Sequence, residues 1–333
     1  MTLTIDDIRR SVKSFNEKSL FDCEKAGPLE IRNKFIPPED SFELVQSINT
    51  DKRYVMPAQS VYGLQLFRGQ AKDFPTCFPS IYRNRENPDG TQRQPTKIEI
   101  FVDWMKVVEF ELMLKSHFLV SKWFEPQNIN VDYVGLAQHY GLRTDVLDFT
   151  ADIEVALFFA ICRYVHETDT YRLPDAQEIS EGGIIYVLSP TRYCRNLLET
   201  NKVSLFEDEL KAIGLQPFER PALQKGYGLH LPDGIGLNRV WKFDFTYTEE
   251  EAKEIFSKYN EQIVLWHKDE LIAPTIRISN KTDFALKVFG ITWQRYPVSG
   301  LTKSQCIKIL RKHGFGIKPQ NHIEAFSEED RRS

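Results

Sequence analysis

Cysteine is sparse and unpaired in this sequence: Cys23, Cys77, Cys162, Cys194 and Cys306 are scattered along 333 residues without a Cys-x-x-Cys pair. An odd count at wide spacing argues against a disulfide framework or a zinc site and fits reduced thiols. His117, His166, His230, His267, His313 and His322 show no metal-ligand spacing either. No P-loop, Gly-x-Ser-x-Gly elbow, internal repeat or low-complexity tract is present. A basic excess is also missing. The formal net charge of -4 is not that of a dedicated nucleic-acid binder, although it leaves a local basic groove open. The longest apolar run, Val155 to Cys162, is far too short to cross a bilayer. Met1 to Arg10 lacks the basic-then-apolar order of a secretory signal. These absences lead us to expect a cytoplasmic protein with no membrane partner.

What is present is an ordinary globular composition, 41% hydrophobic and 27% charged, with 23 phenylalanines that suit a bulky core. Ile5, Ile8, Val12 and Phe15 are spaced for an entry helix. Phe42 to Ile48 reads as a second short helix capped by Asp40 or Ser41. Val61 to Gln70 alternates as a strand, with Arg68 at its end and Gly69 allowing close approach by a backbone or a ligand. An arginine there either pairs with a carboxylate or holds a phosphate through its planar fork. Residues 71–95 are loop-rich, and their arginines (Arg83, Arg85, Arg93) read as solvated. Residues 97–124 carry the spacing of a long helix.

The most informative stretch runs from Val134 to Ala160. Asp132 is placed to cap a helix that Gly141 ends, a short strand follows, and Thr150 or Asp152 opens an apolar helix from Ile153 to about Tyr164. Gln138, His139, Tyr140, Thr144, Asp145, Asp148 and Thr150 put polarity where a plain core would exclude it. They form either a structural hydrogen-bond network or a ligand site. Asp148 lies between Leu147 and Phe149, so its carboxylate needs a partner, and Arg68 is the expected one. The helix start at Thr150 and Asp152 would also accept an anion. Further on, Gly183 to Leu188 and Trp241 to Tyr247 read as strands, and Phe218 to His230 as a turn and strand with Gln224 central. Thr248 to Glu251 and Thr302 to Gln305 are capping boxes, the second opening a helix that Gly314 stops. Ile276 to Ser279 and Val288 to Trp293 read as further strands, with Leu286 to Trp293 ambiguous in its pattern.

Leu66-Phe-Arg-Gly-Gln70, Pro79-Ser-Ile-Tyr-Arg83, Gln138-His-Tyr-Gly-Leu-Arg-Thr144 with Leu147-Asp-Phe-Thr150 and Ala156 to Ala160, and Arg220 to Gly226 together resemble the FRG domain family over about residues 60–230. One departure is Asp145, where the family usually carries a basic residue. A second, fold-level resemblance is to the ADP-ribosyltransferases, whose Arg, Ser/Thr-to-helix and Glu/Gln places would be filled by Arg68, Thr150 and Gln224. This resemblance implies an α+β fold, a central split mixed or antiparallel sheet flanked by helices. The domain would span residues 56–296, between an entry segment (1–55) and a C-terminal helix and tail (297–333). It implies NAD as substrate and no metal, with Arg68, Asp148 and Gln224 in catalytic places. Arg68, Gly69, Gln138, His139, Tyr140, Thr144 and Thr150 would surround the nucleotide. The acceptor would be a protein or nucleic acid, as for a bacterial toxin or anti-phage effector. Gln224 cannot serve as a base, so the alternative is a non-catalytic nucleotide-sensing or protein-interaction module on the same fold.

Overall fold

The computed structural model describes residues 3–14, 42–46, 53–57, 65–74, 77–165, 167–188, 210–213, 218–237, 240–260, 262, 264–266, 269–319 and 323–326. The chain forms two compact units that alternate along the sequence. The first comprises Met1–Cys77, Asp148–Leu229 and Leu237–His267, the second Phe78–Leu147, His230–Gly236 and Lys268–Ser333. The architecture is α+β with a mixed sheet, as the sequence led us to expect.

The seven-stranded sheet runs in the order Leu3–Thr4, Trp241–Thr246, Gly183–Leu188, Leu66–Gln70, Val146–Thr150, Gly226–His230, Leu210–Ala212. Leu3–Thr4 pairs in parallel with its neighbour. The Gly183–Leu188 and Leu66–Gln70 strands pair antiparallel with theirs. Helix Ile153–Ile161 covers one face. It is apolar nearly all round, and Val155, Ala156, Leu157, Phe158, Ala160 and Ile161 are buried. With Phe67, Ile185, Val187 and Phe245 of the sheet, and Ile5 and Ile8 of the helical residues 5–14, they form this unit's core. Each large side chain so buried contributes about 1.5–3 kcal/mol.

Three local expectations change. Arg68 stands in the middle of a five-residue strand, not at its mouth. Phe42–Gln46 is a strand paired antiparallel with Arg53–Pro57. Five residues cannot sustain a helix alone, so the available partner strand decides. Their expected caps, Asp40 and Ser41, lie outside the described residues. Gln224 is not within a strand but is the C-cap of helix Glu219–Leu223, two residues before strand Gly226–His230.

In the second unit, helix Lys97–Lys115 is opened by a Thr96–Glu99 capping box and ends at Ser116. A separate π-helical turn, Val120–Phe124, follows, so the helix does not continue to residue 124. Its Phe101, Val102, Met105 and Val108 form a core with Val288 and Phe289 of helix Leu286–Arg295 and with Cys306 and Leu310 of helix Lys303–Lys312. Ile276–Ser279 lies in helix Ile272–Ser279 and Val288–Trp293 in Leu286–Arg295, so both strand expectations are corrected. Val288, Phe289 and Thr292 share one buried helical face, and packing there outweighs the β-branched composition. Arg85 is also corrected. It is buried, not solvated, and binds Asp103 at 2.5 Å, while burial pushes the Asp103 carboxyl up to about 6 against the opposing pull of Arg85. Among the described residues no helix is long and apolar enough to cross a membrane, and no cluster of His, Cys, Asp and Glu could hold a metal ion.

Candidate functional site

Sheet register decides what Arg68 can reach. Arg68 is paired with Tyr186, and Tyr186 with Lys242. Cross-strand partners share a face, so these three form one polar row, with Gln70 and Ile184 in the next row on the same side. Tyr186 is buried, and burial followed by the nearby Cys77 and Asp73 pushes its phenol up to about 12. Lys242 Nζ binds Asp73 at 2.5 Å. The Arg68 guanidinium donates from Nη1 to the Asp148 carbonyl at 2.8 Å. Among the described residues its buried Nε has no hydrogen-bond partner, and neither has Gln70 Oε1. The expected Arg68–Asp148 ion pair is therefore replaced by a bond to the main chain, because residues on adjacent strands one step out of register leave the sheet on opposite faces.

The same parity separates two of the three residues expected to converge. Phe67 pairs with Thr150, so the Thr150 side chain leaves the sheet on the Phe67 face and Arg68 on the other. The main chain of the three segments does come together. Thr150 Oγ1 donates to the Gln224 carbonyl at 2.7 Å and accepts from Asp152 N at 3.0 Å. Asp152 caps the helix by accepting from Glu154 N. The helix start is thus occupied by the chain's own oxygens, with Glu154 in its first turn, and is no vacant anion site. Gln224 is 6% exposed, and its Nε2 donates to the Leu265 carbonyl at 2.7 Å, tying the strand entry to the Leu265 segment. Gln224→Leu should therefore lower the unfolding midpoint by the equivalent of about 1–3 kcal/mol, because the Leu265 carbonyl would be stranded. A purely ligand-facing Gln224 would leave that midpoint unchanged.

Gly69 has a structural reason. A Cβ there would lie 1.8 Å from the Ala156 carbonyl oxygen, so the space beside it is filled by the helix, and the backbone alternative holds over the ligand one. Arg220, in the same unit, is 2% exposed and lies 4.1 Å from the centre of the Trp266 ring, which also meets Tyr164 and Tyr171 edge-on. Sequence reading placed Arg220 in a family motif but gave no sign of this aromatic seat.

The other expected nucleotide contacts, Gln138, His139, Tyr140 and Thr144, lie in the second unit. Gln138 Oε1 accepts from Ser80 Oγ at 3.0 Å and Thr144 Oγ1 at 2.7 Å. Thr144 N donates back to Ser80 Oγ, and Thr144 Oγ1 accepts from Val146 N. Tyr140 is buried, with its hydroxyl on Asp269, and His139 is buried in helix Tyr133–His139. For Gln138 and Thr144 the polar stretch is a structural network that ties the Pro79–Arg83 turn to the helix and strand.

His230 was missed. It sits between two carboxylates, with Nδ1 3.2 Å from Asp145 and Nε2 3.7 Å from Asp132. Asp145 thus has its charge met inside the unit. Burial alone would lower the His230 pKa, but the hydrogen bond with Asp145 and the charge of both aspartates overcome it and raise it to about 9.

Residues 64–169 match the FRG domain model. These residues include Arg68, the Gln138–Thr144 network and Thr150, whereas the Arg220–Gly226 element falls outside the match. No curated protein and no solved structure matches the chain.

Proposed function

We propose that the protein is a nucleotide-binding module on an ADP-ribosyltransferase-like fold, and that Arg68 holds a phosphate of an NAD-type dinucleotide without turnover. The observation that carries this is the buried Arg68 Nε, which has no hydrogen-bond partner among the described residues. A buried guanidinium N–H left unpaired is costly, and a phosphate oxygen is the acceptor its geometry suits best. The fold reading is supported by chain order: an arginine strand beside a strand ending in Thr150, which leads into the Ala156–Ala160 helix.

Transfer chemistry has less support. The chemistry would need a carboxylate to steady positive charge on the ribose and activate an acceptor, and Gln224 supplies none while its amide is engaged by Leu265. Asp148 leaves its strand on the face opposite Arg68 by the same alternation. We therefore expect NAD and ADP-ribose to raise the melting temperature and to bind in calorimetry. Arg68→Ala should weaken both about 10- to 100-fold, the range for one charge-assisted bond. No nicotinamide should be released. Unchanged affinity in Arg68→Ala would end the proposal. Nicotinamide release would restore the transferase reading, with its macromolecular acceptor and a toxin or anti-phage role.

A further inference from the structure

Gln70 lies two residues from Arg68 on the same strand, so alternation puts both side chains on one face, about 6–7 Å apart along the chain. It is 8% exposed. Its amide is held at one end only. Nε2 donates to Cys77 Sγ at 3.2 Å, and Oε1 is buried with no hydrogen-bond partner among the described residues. Cys77 is itself buried and adopts φ +37°, a left-handed backbone that a non-glycine residue keeps only when its surroundings impose it. The neighbour across the sheet, Ile184, has no polar group to offer Oε1. Among the described residues, the carbonyl end of this buried amide therefore has no donor.

We propose that Gln70 is a specificity determinant that accepts a hydrogen bond from a ribose hydroxyl next to the phosphate held by Arg68. This rests on the Arg68 reading and adds the substrate class: ribonucleotides over their deoxy counterparts and over bare pyrophosphate. Arg68 recognises charge, whereas Gln70 recognises the sugar. A site that hydrogen-bonds a hydroxyl rejects the analogue lacking it, because its own acceptor is then left unpaired.

The test is calorimetric titration of the full chain with ADP, 2′,3′-dideoxy-ADP and inorganic pyrophosphate. Wild type should bind ADP about tenfold more tightly than the dideoxy compound. Gln70→Met, which keeps the length without the polar end, should bind ADP and dideoxy-ADP alike and pyrophosphate as wild type does. Arg68→Ala should weaken all three. The ligand comparison on wild-type protein needs no variant, so it stands even where Gln70→Met fails to fold. Equal affinity of wild type for ADP and dideoxy-ADP, with Arg68→Ala still weakening both, overturns the role of Gln70 alone. Undiminished binding of pyrophosphate and ADP by Arg68→Ala overturns the underlying reading.

Discussion

Gly69→Ala is expected to abolish or severely weaken folding of the first unit while leaving no ligand effect to measure separately. The added Cβ would lie 1.8 Å from the Ala156 carbonyl oxygen, 2.8 Å from its carbon and 2.7 Å from Ala160 N. All three are main-chain atoms of one helix, so no rotamer change relieves the overlap. Moving the helix away would open the core made by Phe67, Leu157, Phe158, Ile185 and Val187. Overpacking ordinarily costs about 1–3 kcal/mol and more where backbone must shift, so we expect roughly 3 kcal/mol or more in denaturant unfolding. Gly290→Ala is the internal contrast. Gly290 lies inside helix Leu286–Arg295, and among the described residues, its own chain neighbours and helix backbone aside, nothing lies within 4 Å of the place an added methyl would take. That change should be neutral or stabilise by about 0.5–1 kcal/mol. A folded Gly69→Ala protein of wild-type stability would mean that the helix does not rest on the strand at this distance.

The same glycine shows which parts of this chain were legible beforehand. Its need for close approach could be read from the sequence, but not whether the approaching group was backbone or ligand. Caps and stops were readable because their chemistry is local. Asp132 accepts from Gly135 N, Thr248 and Thr302 close their boxes, and Gly141 and Gly314 take positive φ. Strand Gly183–Leu188 was readable because it is apolar throughout and bounded by turn residues. Side-chain parity was not. Whether Arg68 and Thr150 share a face depends on register between strands about 80 residues apart, and one step of register reverses the answer. Nor could Gln138 be assigned, since Ser80, one of the two donors to its Oε1, lies 58 residues earlier. Sequence alone therefore located the polar residues but not which of them are spent on holding the chain together.

The second large effect is expected at alkaline pH, in the second unit. His230 is flanked by Asp145 and Asp132, and the Leu231 N–H also donates to the Asp145 carbonyl at 2.9 Å. Asp132 meanwhile caps helix Tyr133–His139, so the imidazolium sits between two separately anchored carboxylates. Its pKa is raised to about 9 in the folded protein, against about 6.5 unfolded. A raised folded value means that the stabilisation is complete below about 6.5 and is lost as pH climbs through about 9. The window is worth about 3 kcal/mol. The nearby phenols of Tyr82 and Tyr296 are each pushed by burial, then by Asp145, to about 12, so neither titrates inside it. Wild-type protein should lose stability steadily between about pH 7 and 9.5 in urea unfolding followed by tryptophan fluorescence. His230→Gln should be less stable at pH 7 by about 3 kcal/mol, since the buried Asp132 and the partly exposed Asp145 lose their cation, and should show little slope over that range. Asp145→Asn should lower the histidine pKa and move the loss to lower pH. A His230 imidazole titrating near its ordinary value by NMR, or an equal slope in His230→Gln, would show that the two aspartates do not hold a charged ring.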